Sequence, residues 1–76
     1  MKAFLEYLLS QIVDHKDKVK VEERRFGENV NQYLISTDPS DVGKVIGKGG
    51  NIIQAIRNIA KILAIKEGKQ IRIEIE

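Results

Sequence analysis

The sequence predicts an α+β fold in which three helices pack on one face of a three-stranded sheet, in the element order α-β-β-α-α-β. Two periodicities support this prediction: apolar residues recur at helical spacing near the N-terminus and after residue 51, and they alternate from residue 69 onward. The chain has 76 residues, of which 42% are hydrophobic, including twelve isoleucines and neither Trp nor Cys. That is enough for one small aliphatic core, so we expect a single domain over residues 1–76.

The first element is an amphipathic helix over residues 3–13, followed by a charged break over residues 14–18. Its apolar positions stand at helical spacing: Phe4, Leu5, Leu8, Leu9, Ile12 and Val13. A polar, β-like segment over residues 19–26 is then separated by a turn at residues 27–29 from a segment rich in β-branched and aromatic residues, 30–37. The pair predicts a hairpin, and it includes Tyr33 as a strand residue rather than a platform for base stacking.

A second helix begins at residues 38–41, where Asp38 can accept hydrogen bonds from free backbone N–H groups and Pro39 suits the first helical position. It has to be short, because three glycines follow from residue 47 and glycine is a poor interior residue for a helix. A longer helix spans residues 51–67, with Gly68 placed to end it. Its predicted core positions are Ile52, Ile53, Ile56, Ile59, Ala60, Leu63 and Ala64.

The last segment predicts a strand with one face in water, because Ile71, Ile73 and Ile75 alternate with charged residues. With no Cys, the chain has neither a disulfide framework nor a cysteine-based zinc site. The longest apolar run has only four residues, Ile62 to Ile65, so we expect a cytoplasmic protein without a membrane span. The net charge of +2 and the sequence pI near 9.0 permit a nucleic-acid partner.

No group of residues predicts catalysis. His15 is the only histidine and lies in the charged break, where a surface role is expected, and the carboxylates show no metal-binding spacing. The sequence therefore favours a binding protein that needs no cofactor or metal and takes no small-molecule substrate.

The segment Gly47-Lys48-Gly49-Gly50 departs from the rest of the pattern, because a simple turn between helices needs one glycine at positive φ, not three. Three glycines predict the close approach of another backbone, with Lys48 beside a phosphate and the free N–H groups of the next helix facing it. Two other phosphate-binding motifs do not fit. The P-loop needs a hydroxyl where Gly49 stands, and the dinucleotide fingerprint needs glycine where Ile52 stands.

Residues 45–56, Val-Ile-Gly-Lys-Gly-Gly-Asn-Ile-Ile-Gln-Ala-Ile, resemble the V-I-G-x-x-G-x-x-I-x-x-I signature of the KH domain. The element order resembles the type II, or prokaryotic, form of that fold, and the whole chain is similar to the small stand-alone bacterial KH proteins of the KhpA group. The resemblance implies a protein that grips single-stranded RNA, or single-stranded DNA, through about four nucleotides, as a low-specificity RNA chaperone or accessory factor.

Carried over by position, the resemblance implies that Gly47 and Gly50 admit the sugar-phosphate backbone, that Lys48 contacts phosphate, and that Ile46 and Ile53 form an apolar groove floor. Gly49 stands where a polar or charged side chain is more usual, which removes one contact. Further cations lie on or beside the same helices, although they also suit a solvated face. The complete predicted RNA-binding set is Lys44, Ile46, Gly47, Lys48, Gly49, Gly50, Ile53, Arg57 and Lys61.

One edge of the long helix carries apolar residues that its predicted core does not need, namely Ala55, Ile62 and Ile65. This edge predicts a contact with a second copy of the chain or with another KH-domain protein. It also defines an alternative function, in which the chain is a protein-interaction adaptor with little direct contact to RNA.

Overall fold

The computed structural model describes residues 1–76, and its helices and strands follow the predicted order. Their bounds are α1 Lys2–Ser10, β1 Lys20–Phe26, β2 Val30–Ser36, α2 Val42–Ile46, α3 Asn51–Lys66 and β3 Gln70–Ile75. Single 3-10 turns lie at Lys16–Lys18, Pro39–Asp41 and Lys48–Gly50. The predicted α+β class and the order α-β-β-α-α-β are thus confirmed.

Strand β2 lies at the centre of the sheet. It pairs with β1 antiparallel, with Val21 opposite Ile35, and with β3 parallel, with Tyr33 opposite Ile73. A parallel pair needs a crossover, which α2 and α3 supply between β2 and β3. The glycine loop therefore lies within this crossover, and the residues that pack against the helices all come from one face of the sheet.

The core is built from residues of every helix and strand: Leu5, Leu9, Val13, Val21, Tyr33, Ile35, Val45, Ile53, Ile56, Ala60 and Ile73. Tyr33 is buried, which confirms it as a strand residue, and its hydroxyl donates a hydrogen bond to Oε2 of Glu23 at 2.9 Å. Burial, together with this bond, raises the pKa of Tyr33 to about 12. The phenol thus remains a hydrogen-bond donor that fastens the hairpin to the core.

Helix α1 ends at Ser10, three residues before the predicted end. The chain nevertheless keeps turning, because the N–H of Ile12 bonds the carbonyl of Leu9 at 3.0 Å and the N–H of Val13 bonds the same carbonyl at 3.1 Å. Val13 is consequently buried although it lies outside the helix. The apolar spacing therefore correctly identified a buried residue while overestimating the length of the helix.

Three predicted core positions of α3 are wrong: Ile52, Ile59 and Leu63 are between 36% and 45% exposed. The residues that face the sheet are Ile53, Ile56, Ala60 and Ala64. Counted from the start of the helix at about 100° per residue, these four span roughly 140° to 220°, and the three exposed residues lie at roughly 80° to 120°. The sheet is narrow and covers only part of the apolar arc that the sequence displays.

Asp41 links the segment after α1 to the start of α2. Its carboxylate is 1% exposed and accepts hydrogen bonds from the backbone N–H groups of Asp14 at 3.3 Å and His15 at 3.0 Å, and it lies 2.9 Å from Nδ1 of His15. Asp38 accepts a bond from the N–H of Ser40 at 2.9 Å, which confirms the predicted helix start. No helix of the structure combines the length and the apolar character that a bilayer span requires.

Candidate nucleic-acid interface

The loop between α2 and α3 is built from glycines that all have positive φ. The angles are 77° at Gly47, 64° at Gly49 and 78° at Gly50. The expectation that only one of the three needs such a conformation is wrong. The shape of the loop alone accounts for all three glycines, since residues with a Cβ rarely adopt positive φ.

The three glycines differ in the space around them. A Cβ on Gly47 would lie 2.6 Å from Cγ1 of Ile52, whereas a Cβ on Gly49 or Gly50 would meet nothing within 4 Å. The space beside Gly47 is therefore filled by the protein itself. Open backbone surface lies at Gly49 and Gly50, whereas the resemblance implies that Gly47 and Gly50 admit the sugar-phosphate backbone.

A positively charged side chain and backbone N–H groups without a side-chain cap lie beside this open backbone. Lys48 is exposed and forms no ion pair. The N-terminus of α3 begins at Gly50 without a side-chain cap, so the positive end of a 16-residue helix faces outward here. Together these features favour an anionic backbone as the ligand.

Lys44 is held away from the loop by an ion pair with Asp14 on the segment after α1. The hydrogen bond that Lys44 donates to Asp14 raises the pKa of Lys44 above its ordinary value. The charge of Lys44 is therefore matched by a carboxylate, unlike that of Lys48. Asp14 would have to release Lys44 before it could contact a phosphate.

The two predicted floor residues have different environments. Ile46 is 37% exposed at the end of α2, so its side chain is accessible to a base. Ile53 is only 5% exposed and belongs to the core. Ile53 is thus packed mainly in the core, and its place in the groove floor stays a prediction. It faces the sheet because it lies about 100° further around α3 than the exposed Ile52.

Arg57 and Lys61 lie one turn apart on α3, as predicted, and face strand β3. Nε of Arg57 donates to the carbonyl oxygen of Ile73 at 3.1 Å, and its Nη1 donates to Oε1 of Gln54 at 3.3 Å. Lys61 is exposed and forms no ion pair. Arg57 thus joins α3 to the edge strand β3 through a hydrogen bond, while the ammonium group of Lys61 has no ion-pair partner in the protein.

A cleft of about 470 Å³ separates α3 from β3. Its lining residues are Arg57, Asn58, Lys61, Ile71, Arg72, Ile73 and Glu74. Ile71 and Arg72 are not among the predicted site residues, because no local sequence pattern indicates that β3 runs beside α3. The cleft carries three cations and one carboxylate, so its charge suits a polyanion.

A larger depression of about 740 Å³ lies at the opposite edge of the sheet, beside α1 and β1. Four carboxylates line it, those of Glu6, Glu22, Glu23 and Glu76, against the cations Lys2 and Lys20. This charge balance would repel phosphates, so the larger depression is not the interface for a nucleic acid.

The predicted protein contact on α3 is not one continuous edge. Ala55 and Ile62 are exposed and continue the row formed by Ile52, Ile59 and Leu63, but Ile65 lies beside Lys61 and Lys69 at the end of the α3–β3 cleft. The structure therefore separates Ile65 from the other two residues of the predicted interface.

The element order, the mixed three-stranded sheet and the glycine loop in the crossover define the fold as that of a type II KH domain. The chain belongs to the KhpA/KhpB KH-domain family, whose model, described as KhpA/KhpB, KH domain, matches residues 2–75.

Relatives in several bacteria carry the name RNA-binding protein KhpA. The relative in Clostridium acetobutylicum is 43% identical over 99% of this chain and 99% of its own length. The relative in Aquifex aeolicus is 40% identical over 99% and 94%, and that in Halalkalibacterium halodurans is 37% identical over 99% and 97%. No solved structure matches the chain.

Proposed function

We propose that this chain, as a single KH domain over residues 1–76, binds single-stranded RNA with low sequence specificity and acts in the cytoplasm as an RNA chaperone or accessory factor rather than as an enzyme. Single-stranded DNA shares the backbone chemistry and is an expected secondary ligand. The names of the relatives support RNA as the partner. The observation that carries the proposal is the open backbone of Gly49 and Gly50 between Lys48 and the uncapped start of α3.

In this proposal the glycine loop and the α3–β3 cleft bind different parts of the RNA. The phosphates lie against the loop, where N–H groups and Lys48 meet them, and the following bases enter the cleft beside Arg57, Lys61 and Arg72. KH domains clamp about four nucleotides. A groove of that length whose polar contacts come mainly from three cations distinguishes few base sequences, which is why we propose low specificity.

The decisive experiment is fluorescence anisotropy of labelled single-stranded RNA at two salt concentrations, with the wild type and the double variant Lys48→Asp, Gly49→Asp. The variant places two carboxylates where the phosphates are proposed to lie, so salt-sensitive binding should be lost while circular dichroism remains unchanged. Equal binding by the variant and the wild type would contradict the proposal.

A matched control carries the same change in net charge on another surface. Lys2→Asp, Ala3→Asp alters two exposed residues in the first turn of α1, where carboxylates are tolerated. This control should bind RNA almost as the wild type does. If both double variants lost binding to the same extent, the effect would come from net charge alone and the loop would not be the site.

A second function, association with another protein, is favoured by one observation. Five exposed aliphatic residues form a row on α3 without an interrupting charge: Ile52, Ala55, Ile59, Ile62 and Leu63. An uncharged helical row is self-complementary across a two-fold axis, so the partner that we propose is a second copy of this chain, with another KH-domain protein as the alternative.

The oligomeric state measured by light scattering tests this association. Ile62→Glu should shift the molecular mass toward that of the monomer, because a carboxylate would be buried in the contact. Ile65→Glu is the matched control, since Ile65 is equally exposed on the same helix but lies outside the row. A wild type that stays monomeric at high concentration would contradict the proposal.

A further inference from the structure

The face of the sheet opposite the helices carries a second surface with features suited to RNA. We call this surface the open face. It presents alternate residues of all three strands. The strand pairing places Arg24 of β1 beside Gln32 of β2, and Gln32 beside Arg72 of β3. Phe26 lies beside Val30 in the next row toward the hairpin turn. The residues of this end, which we call the arginine end, are Arg24, Phe26, Val30, Gln32, Gln70 and Arg72.

Charge on the open face is segregated along the strands. The arginine end contains two cations and no carboxylate, whereas the other end contains Glu22, Glu74 and Glu76 with the single cation Lys20. Arg24 is bonded to Glu22 only through Nε, at 3.2 Å, and both side chains are more than half exposed, so this pair is weak. Arg72 forms no ion pair.

The arginine end also carries an exposed aromatic side chain, that of Phe26. It is an exposed aromatic on a sheet that no helix covers on this face, with 54% of its surface in water. Aromatic side chains on an open sheet stack well against unpaired bases, and such stacking tolerates any base. Guanidinium groups bind phosphate in a bidentate manner and also stack on bases, so Arg24 and Arg72 complement the ring.

The arginine end is continuous with the α3–β3 cleft. Arg72 lines that cleft and also stands on the open face, and Gln70 lines the depression at the cleft's end. Adjacent strands lie about 4.8 Å apart, so the open face from Arg72 to Arg24 spans about 10 Å. A strand that leaves the cleft over the edge of β3 therefore reaches Arg72 first, then Gln32, and then Arg24 and Phe26.

We infer that the arginine end of the open face binds the continuation of the single-stranded RNA held in the α3–β3 cleft, with a base stacked on Phe26 and phosphates between Arg24 and Arg72. This inference rests on the proposed function, because it extends the path of the same strand. It predicts that affinity increases with RNA length beyond what the groove itself holds.

A fluorescent reporter tests the stacking directly, because the chain contains no Trp. In Phe26→Trp, an RNA of about twelve nucleotides should quench the Trp emission, while an RNA of about four nucleotides, which fills only the groove, should not. Tyr7→Trp is the control reporter, since Tyr7 is an exposed aromatic on α1, on the helical side. Its emission should not change with either RNA.

Affinity provides the second readout. Arg24→Gln combined with Phe26→Leu should weaken binding of the longer RNA about tenfold and leave binding of the shorter RNA unchanged. Arg25→Gln is the matched control. It removes a neighbouring arginine of the same strand that pairs with Glu23 on the helical side, so the longer RNA should bind it as it binds the wild type.

The outcomes separate this inference from the proposed function. The inference is overturned, and the proposed function stands, under the following results. The loop variant abolishes RNA binding, the longer RNA does not quench the emission of Phe26→Trp, and the longer RNA binds the double variant Arg24→Gln, Phe26→Leu as tightly as the wild type. Trp emission that changes with protein concentration in the absence of RNA would assign the open face to a second copy and overturn it as well. If the wild type binds neither RNA, both proposals fail.

Discussion

At the scale of single residues, Gly47 and Gly49 show that two glycines of one loop are needed for different reasons. Gly47 has φ 77° and ψ 173°, a combination that only glycine adopts readily, and it packs against Ile52. Gly49 is left-handed but faces open space. The first glycine is packed within the fold, whereas the second lies at the open surface that we propose for the ligand.

Alanine substitutions should separate these two roles. Gly47→Ala is expected to cost roughly 3 kcal/mol or more in the free energy of unfolding, because backbone strain adds to the collision with Ile52. Gly49→Ala should cost only about 1 kcal/mol, the strain of one left-handed residue. Urea denaturation followed by circular dichroism measures both, and equal costs would contradict the distinction.

A second arrangement at the residue scale is the contact of His15 with Asp41. The hydrogen bond to Asp41 raises the pKa of His15 above 6.5, and the nearby charge of Asp38 acts in the same direction. For Asp41, burial acts to raise the pKa, but hydrogen bonds from the side chain and backbone of His15 and from the backbone of Asp14 outweigh it and lower the pKa. The imidazolium and the carboxylate thus stabilise each other's charged form.

The stability of the protein should therefore depend on pH through His15. Because the folded state binds its proton more tightly, the contribution is fully present below pH 6.5 and is lost as the pH rises through the raised pKa. The Tm should fall between pH 6 and pH 9 in the wild type, and the chain has no other histidine. His15→Gln should abolish most of that fall, and an unchanged pH dependence in the variant would contradict this role.

At the scale of elements, α3 meets three different surroundings around its circumference. One face packs on the sheet, one lines the cleft with Arg57 and Lys61, and one carries the exposed aliphatic row. The helical periodicity predicted a helix over residues 51–67, and the observed helix, Asn51–Lys66, ends one residue earlier. It could not predict which apolar residues are buried, because that depends on how much of the helix a narrow sheet covers.

The two cations of α3 that line the cleft should differ in what their removal changes. Lys61→Gln should reduce the slope of log affinity for RNA against log salt by about 0.7, the contribution of one phosphate contact with a single strand, without altering the Tm. Arg57→Gln should reduce that slope and also cost about 1 kcal/mol of stability, because the carbonyl of Ile73 loses its hydrogen bond. Salt titrations and thermal melts on both variants distinguish a ligand contact from a structural one.

Sequence reasoning was most successful where the signal is local. The helix start at Asp38, the hairpin, the glycine loop and the alternation of β3 all follow from neighbouring residues, and the structure has each of them. The contacts that sequence reasoning missed join residues distant in the chain. His15 meets Asp41 across 26 positions, and Arg72 joins Arg57 in the cleft only because β3 returns beside α3.

At the scale of the whole molecule, the proposed RNA surface and the proposed self-association surface lie on different sides of α3, so both can be occupied at once. A dimer formed through the aliphatic row would present two clefts to one RNA. Joining two weak sites raises the apparent affinity for long strands without any new contact, provided that the strand spans both sites.

The monomeric variant Ile62→Glu should therefore bind a short RNA as the wild type does but bind a long RNA more weakly, by tenfold or more. Anisotropy with RNAs of increasing length checks this, and the unchanged affinity for the short RNA is the internal control. An equal loss for short and long RNA would show that Ile62 acts on the groove itself instead of on the dimer.

The bond from Arg57 to the carbonyl of Ile73 has a further consequence, which concerns polymerisation. β3 is an edge strand, and an unpaired edge is a template onto which further strands can add and begin a fibril. A guanidinium that occupies the carbonyl interrupts this template at its centre, while the charged side chains of β1 disfavour strand addition at the other edge. Arg57, which we propose as an RNA contact, thereby also helps to keep an open three-stranded sheet from pairing edge to edge with its copies.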